Sequence, residues 1–202
     1  MKRKPVFYLV FFAVLLAGFY LALMATSDFG KVKLPVLSTV HPFSFLRQDS
    51  MVINEHSVEG KVYLAEYFFT TCKGICPKMN RNMEAIHKEF SKEKDFLILS
   101  HTVDPETDSL AVLRKYADSI GADPSGWWFL TGSKEDLYRA ARESYLLDDP
   151  ENNTKNIKEQ FLHTQFFALV DRKGRVRGVY DGLKKDELVQ LNADIGKLLK
   201  EQ

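Results

Sequence analysis

Nineteen consecutive residues, Val6 to Met24 (VFYLVFFAVLLAGFYLALM), carry no charge. As a helix this run rises roughly 28 Å, close to the hydrocarbon thickness of a bilayer. Lys2-Arg3-Lys4 precedes it and is expected to stay cytoplasmic, which sends everything after Met24 to the other side, periplasmic in a bacterium. A cleaved signal peptide is the competing reading. Its apolar core is usually shorter, about 7–15 residues, and no clean small-x-small cleavage site follows Met24. No cysteine follows the run closely enough to be a lipoprotein site. The expectation is an uncleaved anchor, with 1–5 as a basic N-terminus, 6–24 as the membrane span, 25–42 as a linker and 43–202 as the functional domain.

The domain is organised around Val62 to Met79, VYLAEYFFTTCKGICPKM, which holds both cysteines of the chain, Cys72 and Cys76. An aromatic-rich apolar run leads into them, and Met79, Met83, Ile86 and Phe90 follow at helical spacing. The methionines fit a core-facing stripe better than a set of soft-metal ligands. Strand, Cys-x-x-x-Cys, Pro, helix places both sulfurs in a turn at a helix N-terminus, where unpaired N–H groups and the helix dipole favour thiolate. Downstream, Asp95 to Val103 reads as a centrally buried strand. Asp108 is expected to cap a helix running to about Ile120, Trp127 to Leu130 is a short strand, and Ser133 caps a helix from Lys134 to about Ser144. That alternation predicts a parallel α/β core. Leu146 to Gln160 reads as a polar surface excursion. Phe161 to Asp171 and Val176 to Tyr180 form a predicted hairpin about Lys173-Gly174, and Leu183 to Leu199 a closing helix. Net charge is +1, and −2 once the three N-terminal cations are set aside, which argues against a nucleic-acid partner.

Two thiolates and an imidazole make a compact site for a soft cation, and Cu(I) is the soft first-row ion to consider. The chain has five histidines: His41, His56, His87, His101 and His163. The first three are expected to be solvated. His101, inside the buried run, fits a satisfied core or supporting histidine as well as it fits a ligand. A structural zinc site would need a fourth ligand, for which Asp104 or His101 has no spacing signature. A plain structural disulfide is possible outside the cytoplasm, although so small a loop stabilises little by chain entropy. Thiol–disulfide exchange is the enzyme alternative. Against it stand three residues between the cysteines, where redox motifs usually have two, and Thr164 after His163, where redox thioredoxins usually have proline.

The blocks Phe68-Phe69-Thr70-Thr71-Cys72-Lys73-Gly74-Ile75-Cys76-Pro77, Thr102-Val103-Asp104-Pro105-Glu106-Thr107-Asp108, Trp128-Phe129-Leu130-Thr131-Gly132 and His163-Thr164 before Phe167-Ala168-Leu169-Val170-Asp171 occur in this order. In these, from roughly Pro35 to the C-terminus, the chain resembles the SCO/SenC family of copper-handling proteins. The resemblance implies a thioredoxin-like domain with a central mixed β-sheet flanked by helices. In such folds the start of the strand that follows His163 faces the cysteine turn. It further implies that Cys72, Cys76 and His163 bind one copper ion, as Cu(I) or Cu(II), with Asp104 near the metal but not a ligand. The implied role is delivery of copper to the copper-bearing subunit of cytochrome c oxidase or another copper acceptor, after loading from a copper donor protein, or reduction of the acceptor's cysteines. Lys73 stands where many relatives carry proline. A cation there is expected to lower the thiol pKa values and leave the ligand set unchanged.

Overall fold

The computed structural model describes residues 4–26, 33–149 and 156–201. Lys2-Arg3, part of the expected linker (27–32) and the middle of the expected polar excursion (150–155) lie outside the described residues. The chain divides into two compact units, Met1–Lys33 and Leu34–Gln202.

Among the described residues the first unit holds one helix, α1 (Lys4–Thr26), about 35 Å long at 1.5 Å per residue. Pro5–Leu23 is long and apolar enough to cross a membrane, and its large apolar side chains are exposed.

The second unit is an eight-stranded mixed sheet with helices on both faces, the thioredoxin-like α/β architecture expected above. In chain order its strands are β1 (Ser38–Thr39), β2 (Ser44–Arg47), β3 (Val52–Asn54), β4 (Val62–Phe68), β5 (Phe96–Thr102), β6 (Trp127–Thr131), β7 (Phe166–Val170) and β8 (Arg175–Asp181). The spatial order is β1-β8-β7-β4-β5-β6-β2-β3. β4, β5 and β6 run parallel, and the remaining pairings are antiparallel. The helices are α2 (Cys76–Glu89), α3 (Leu110–Ser119), α4 (Lys134–Arg139) and α5 (Lys185–Lys200).

β4 and β5 are buried along their whole length because side chains alternate between two cores, both covered. Val62, Leu64 and Phe68 point to one side, where Met79, Met83 and Ile86 of α2, Leu113 of α3 and Leu191, Ile195 and Leu198 of α5 pack. Tyr63, Ala65 and Tyr67 point to the other, against Leu137 and Tyr138 of α4 and Leu162. The methionine stripe is therefore core. The outer strands are short, with two residues in β1 and three in β3.

Four local readings change. α2 begins at Cys76 itself, with Pro77 in its first turn, where a missing N–H costs nothing. The cap of α3 is Ser109, whose hydroxyl accepts from Val112 N–H at 3.4 Å. Asp108 is wholly buried and bonds elsewhere. β7 begins at Phe166, five residues later than Phe161, because the Leu162 N–H is taken by the Tyr138 hydroxyl at 3.0 Å and joins no ladder. β1, inside the stretch expected to be linker, pairs with β8.

Candidate metal centre

β4 ends at Phe68, and the backbone between it and α2 forms the cysteine turn. Asp108 anchors the start of that turn. Its carboxyl accepts from Thr70 N–H (3.2 Å), from the Thr70 hydroxyl, and from the Thr102 hydroxyl at 2.5 Å. Thr102 Oγ1 in turn accepts from Asp104 N–H at 3.0 Å. One buried carboxyl thus ties the cysteine turn to the loop that carries Asp104. The Asp104 side chain bonds within its own turn, accepting from Thr107 N–H at 3.4 Å.

Both cysteines are free thiols and differ sharply in surroundings. Cys72 is half-buried. Burial opposes its ionisation, but the Cys76 thiol and the backbone N–H groups of Cys76, Gly74 and Ile75 all donate toward its sulfur, and together they hold its pKa below the ordinary thiol value. Successive N–H groups at a helix start form the thiolate-favouring nest expected of this turn, while the Lys73 side chain stands exposed. Cys76 is 4% exposed. Burial first, then the hydrogen bond to Cys72, pushes it up to about 12, against one N–H from Phe69. The turn thus favours the charged form at Cys72 only, and the expectation of thiolate at both sulfurs fails at Cys76 because that thiol is buried.

Glu66, also on β4, is wholly buried on the α2 side. Its Oε1 accepts from the Ser100 hydroxyl at 2.5 Å, which accepts from Trp127 Nε1 at 2.8 Å, and its Oε2 has no partner among the described residues. Burial pushes it up to about 7, with the Ser100 hydrogen bond opposing. Its charge bears on Cys76. A lone acidic residue inside the apolar run VYLAEYFF was the signal in the sequence, and the site reading passed over it.

His163 is exposed and lies on irregular backbone three residues before β7. Its ring stands edge-on to Phe69, centroids 5.9 Å apart, and 6.4 Å from Phe161. Phe69 therefore touches both arms, with its N–H on Cys76 and its ring on His163. His163 and Ile75, from the middle of the cysteine turn, also line one cavity of about 410 Å³. Among the described residues, however, no three His, Cys, Asp or Glu side chains are gathered as a metal-holding group. The imidazole stands beside the turn and not on the sulfurs.

The other histidines separate cleanly. His41 and His56 are exposed. His87 is half-buried, its ring 5.7 Å from that of Trp127, and not solvated as expected. His101 is a core residue, stacked on Tyr67 at 4.9 Å, with Nδ1 3.2 Å from Glu66 O.

The sequence model of the SCO1/SenC family matches residues 33–200. The SCO1 protein homolog of Bacillus subtilis is 31% identical over 185 residues, 90% of this chain and 93% of that protein. A crystal structure of a SCO1/SenC family lipoprotein from Bacillus anthracis superposes with a TM-score of 0.71 at 29% identity, covering 84% of this chain and 100% of that one. BsSco, a member of the Sco family of cytochrome c oxidase assembly proteins in which a disulfide switch was identified, superposes with a TM-score of 0.71 at 31% identity, covering 85% and 99%. With the family model matched over residues 33–200 and the fold shared with solved members, this chain belongs to the SCO1/SenC family.

Proposed function

We propose that this chain is a membrane-anchored copper metallochaperone that takes one copper ion, as cargo, on Cys72, Cys76 and His163. It passes the ion to the copper-bearing subunit of cytochrome c oxidase or a similar thiolate acceptor, after loading from a copper donor protein. α1 is the anchor, and the basic residues before it put the domain on the non-cytoplasmic side. The observation that carries the reading is the paired, hydrogen-bonded thiols at the start of α2, with an unencumbered imidazole one aromatic ring away. Two sulfurs and one nitrogen suit a soft ion and leave it room to be taken over by another thiolate. Loading draws His163 in toward the sulfurs and releases the Cys76 proton. Asp104 supports the site through the Thr102–Asp108 network and does not bind the ion.

The test is a copper titration of the full chain, reduced and held in detergent micelles, following thiolate-to-copper charge-transfer absorption. One equivalent binds, and the absorption disappears in Cys72→Ser and Cys76→Ser and changes in His163→Ala. Unchanged affinity and spectrum in His163→Ala would remove that residue from the ligand set.

A second reading rests on the asymmetry of the two thiols. A half-buried thiol of lowered pKa beside a buried one of raised pKa is the arrangement of an attacking and a resolving cysteine. It predicts turnover of an acceptor disulfide that needs both cysteines and tolerates loss of His163.

A further inference from the structure

The His163 imidazole makes ring contacts and no hydrogen bond among the described residues, so its place is set by the backbone that carries it. After His163 that backbone is held by the Gly182 N–H, which donates to Gln165 O at 2.8 Å, and before it by one hydroxyl. Tyr138, on α4, is wholly buried. Its oxygen accepts the N–H of Leu162, one residue before His163, at 3.0 Å. The same oxygen lies 3.1 Å from Val103 O and 3.3 Å from Gln160 O, and its single proton goes to one of these two carbonyls. The Tyr138 ring carries the Arg142 guanidinium 5.4 Å from its centre, and that guanidinium also holds the Gln160 side chain and, at 2.7 Å, Asp148. Val103 leaves the end of β5, and its N–H donates to Phe68 O at 2.9 Å, where β4 gives way to the cysteine turn. A continuous path therefore runs from the histidine arm through Tyr138 and Val103 to the cysteine arm.

Resting on the copper reading above, we propose that Tyr138 is the positioning residue of the His163 arm, presetting the reach from imidazole to cysteine turn. Without its hydroxyl the Leu162 N–H loses its acceptor and one of the two carbonyls, of Val103 or Gln160, loses its donor, and the arm explores more positions. A site that is competent for only a fraction of the time binds more weakly by that fraction. The ring itself packs in the core and is not what the role requires.

The decisive variant is Tyr138→Phe in the full chain in detergent micelles, since it removes one oxygen and keeps the ring. Leu191→Val, in α5 within the opposite core, serves as a control that lowers stability without touching the arm. Two properties are read: exchange of the Leu162 amide in the metal-free protein, and the affinity and nitrogen hyperfine coupling of bound Cu(II). Tyr138→Phe is expected to speed Leu162 exchange at least tenfold. It is also expected to raise the copper dissociation constant about tenfold and to diminish the imidazole nitrogen signal, while Leu191→Val matches wild type. Faster exchange with wild-type affinity and spectrum would make the hydroxyl merely structural and overturn the proposal. So would unchanged exchange, or Leu191→Val reproducing the copper effects. A wild-type chain that binds no copper overturns the copper reading and this inference together. Wild-type binding that needs His163, with Tyr138→Phe indistinguishable, overturns this inference alone.

Discussion

Glu66 and His101 occupy neighbouring central strands, linked where His101 Nδ1 donates to Glu66 O at 3.2 Å; a carbonyl only accepts, so that nitrogen carries the proton. Burial acts on the two in opposite senses. It pushes Glu66 up to about 7 from 4.5 and His101 down to about 4 from 6.5. Between about pH 4.5 and 6.5 the folded state keeps a proton on Glu66 that the unfolded chain has lost, so this group's stabilisation is full below 4.5 and fades as pH rises through 7. His101 does the reverse. There the unfolded chain holds the extra proton, so stability falls as pH drops from 6.5 toward 4. Each slope is at most about 1.4 kcal/mol per pH unit, and in the wild-type chain the two oppose each other. Glu66→Gln should unmask stability that rises with pH across this window, and His101→Phe stability that falls, measured by urea unfolding at half-unit steps. Parallel pH profiles for both variants would refute the pairing. His101 was ambiguous in the sequence because a buried run predicts burial and not partners. The shell of Tyr67, Phe45 and Tyr145 that makes it a core residue is assembled from three distant segments.

At the level of elements, the strands and helices that carry the site were legible wherever periodicity was strong. β4, β5, the methionine face of α2, the Lys173-Gly174 hairpin and α5 all follow from apolar spacing, and Gly174 takes the left-handed φ of +70° that its turn requires. The errors fall where a polar group chose a tertiary partner over a local one. Asp108 stands two residues before α3 and has cap chemistry, but Thr70 and Thr102 recruit its carboxyl into the interior and leave the cap to Ser109. Distances of 38 residues along the chain, as between Thr70 and Asp108, leave no local pattern to read. The two roles separate by energy. Asp108→Ala should destabilise by about 3 kcal/mol, since it strands buried donors, whereas Ser109→Ala should cost about 1 kcal/mol, the usual value of an exposed cap. Chemical denaturation of both variants checks the order, and equal or reversed costs would refute the buried-anchor role of Asp108. The position of His163 was likewise visible only through the fold. Its approach to the cysteine turn depends on Phe69 and Tyr138, which the sequence marks as nothing more than apolar residues.

For the whole molecule, the proposed function assigns anchoring to the α1 unit and copper chemistry to the sheet unit. Removal of residues 1–24 should move the chain from the membrane to the soluble fraction, resistant to carbonate extraction before and absent from the pellet after, with copper stoichiometry unchanged. Retention in the membrane would give the sheet unit a lipid or protein attachment of its own. An anchor of the kind proposed for α1 would also confine every copy to a plane, where lateral encounters between identical domains are frequent. A sheet ending in a long open strand would then be a template for its neighbours. Among the described residues the sheet ends in strands of two and three residues, which offer such a template almost no length on which a neighbour's strand could pair.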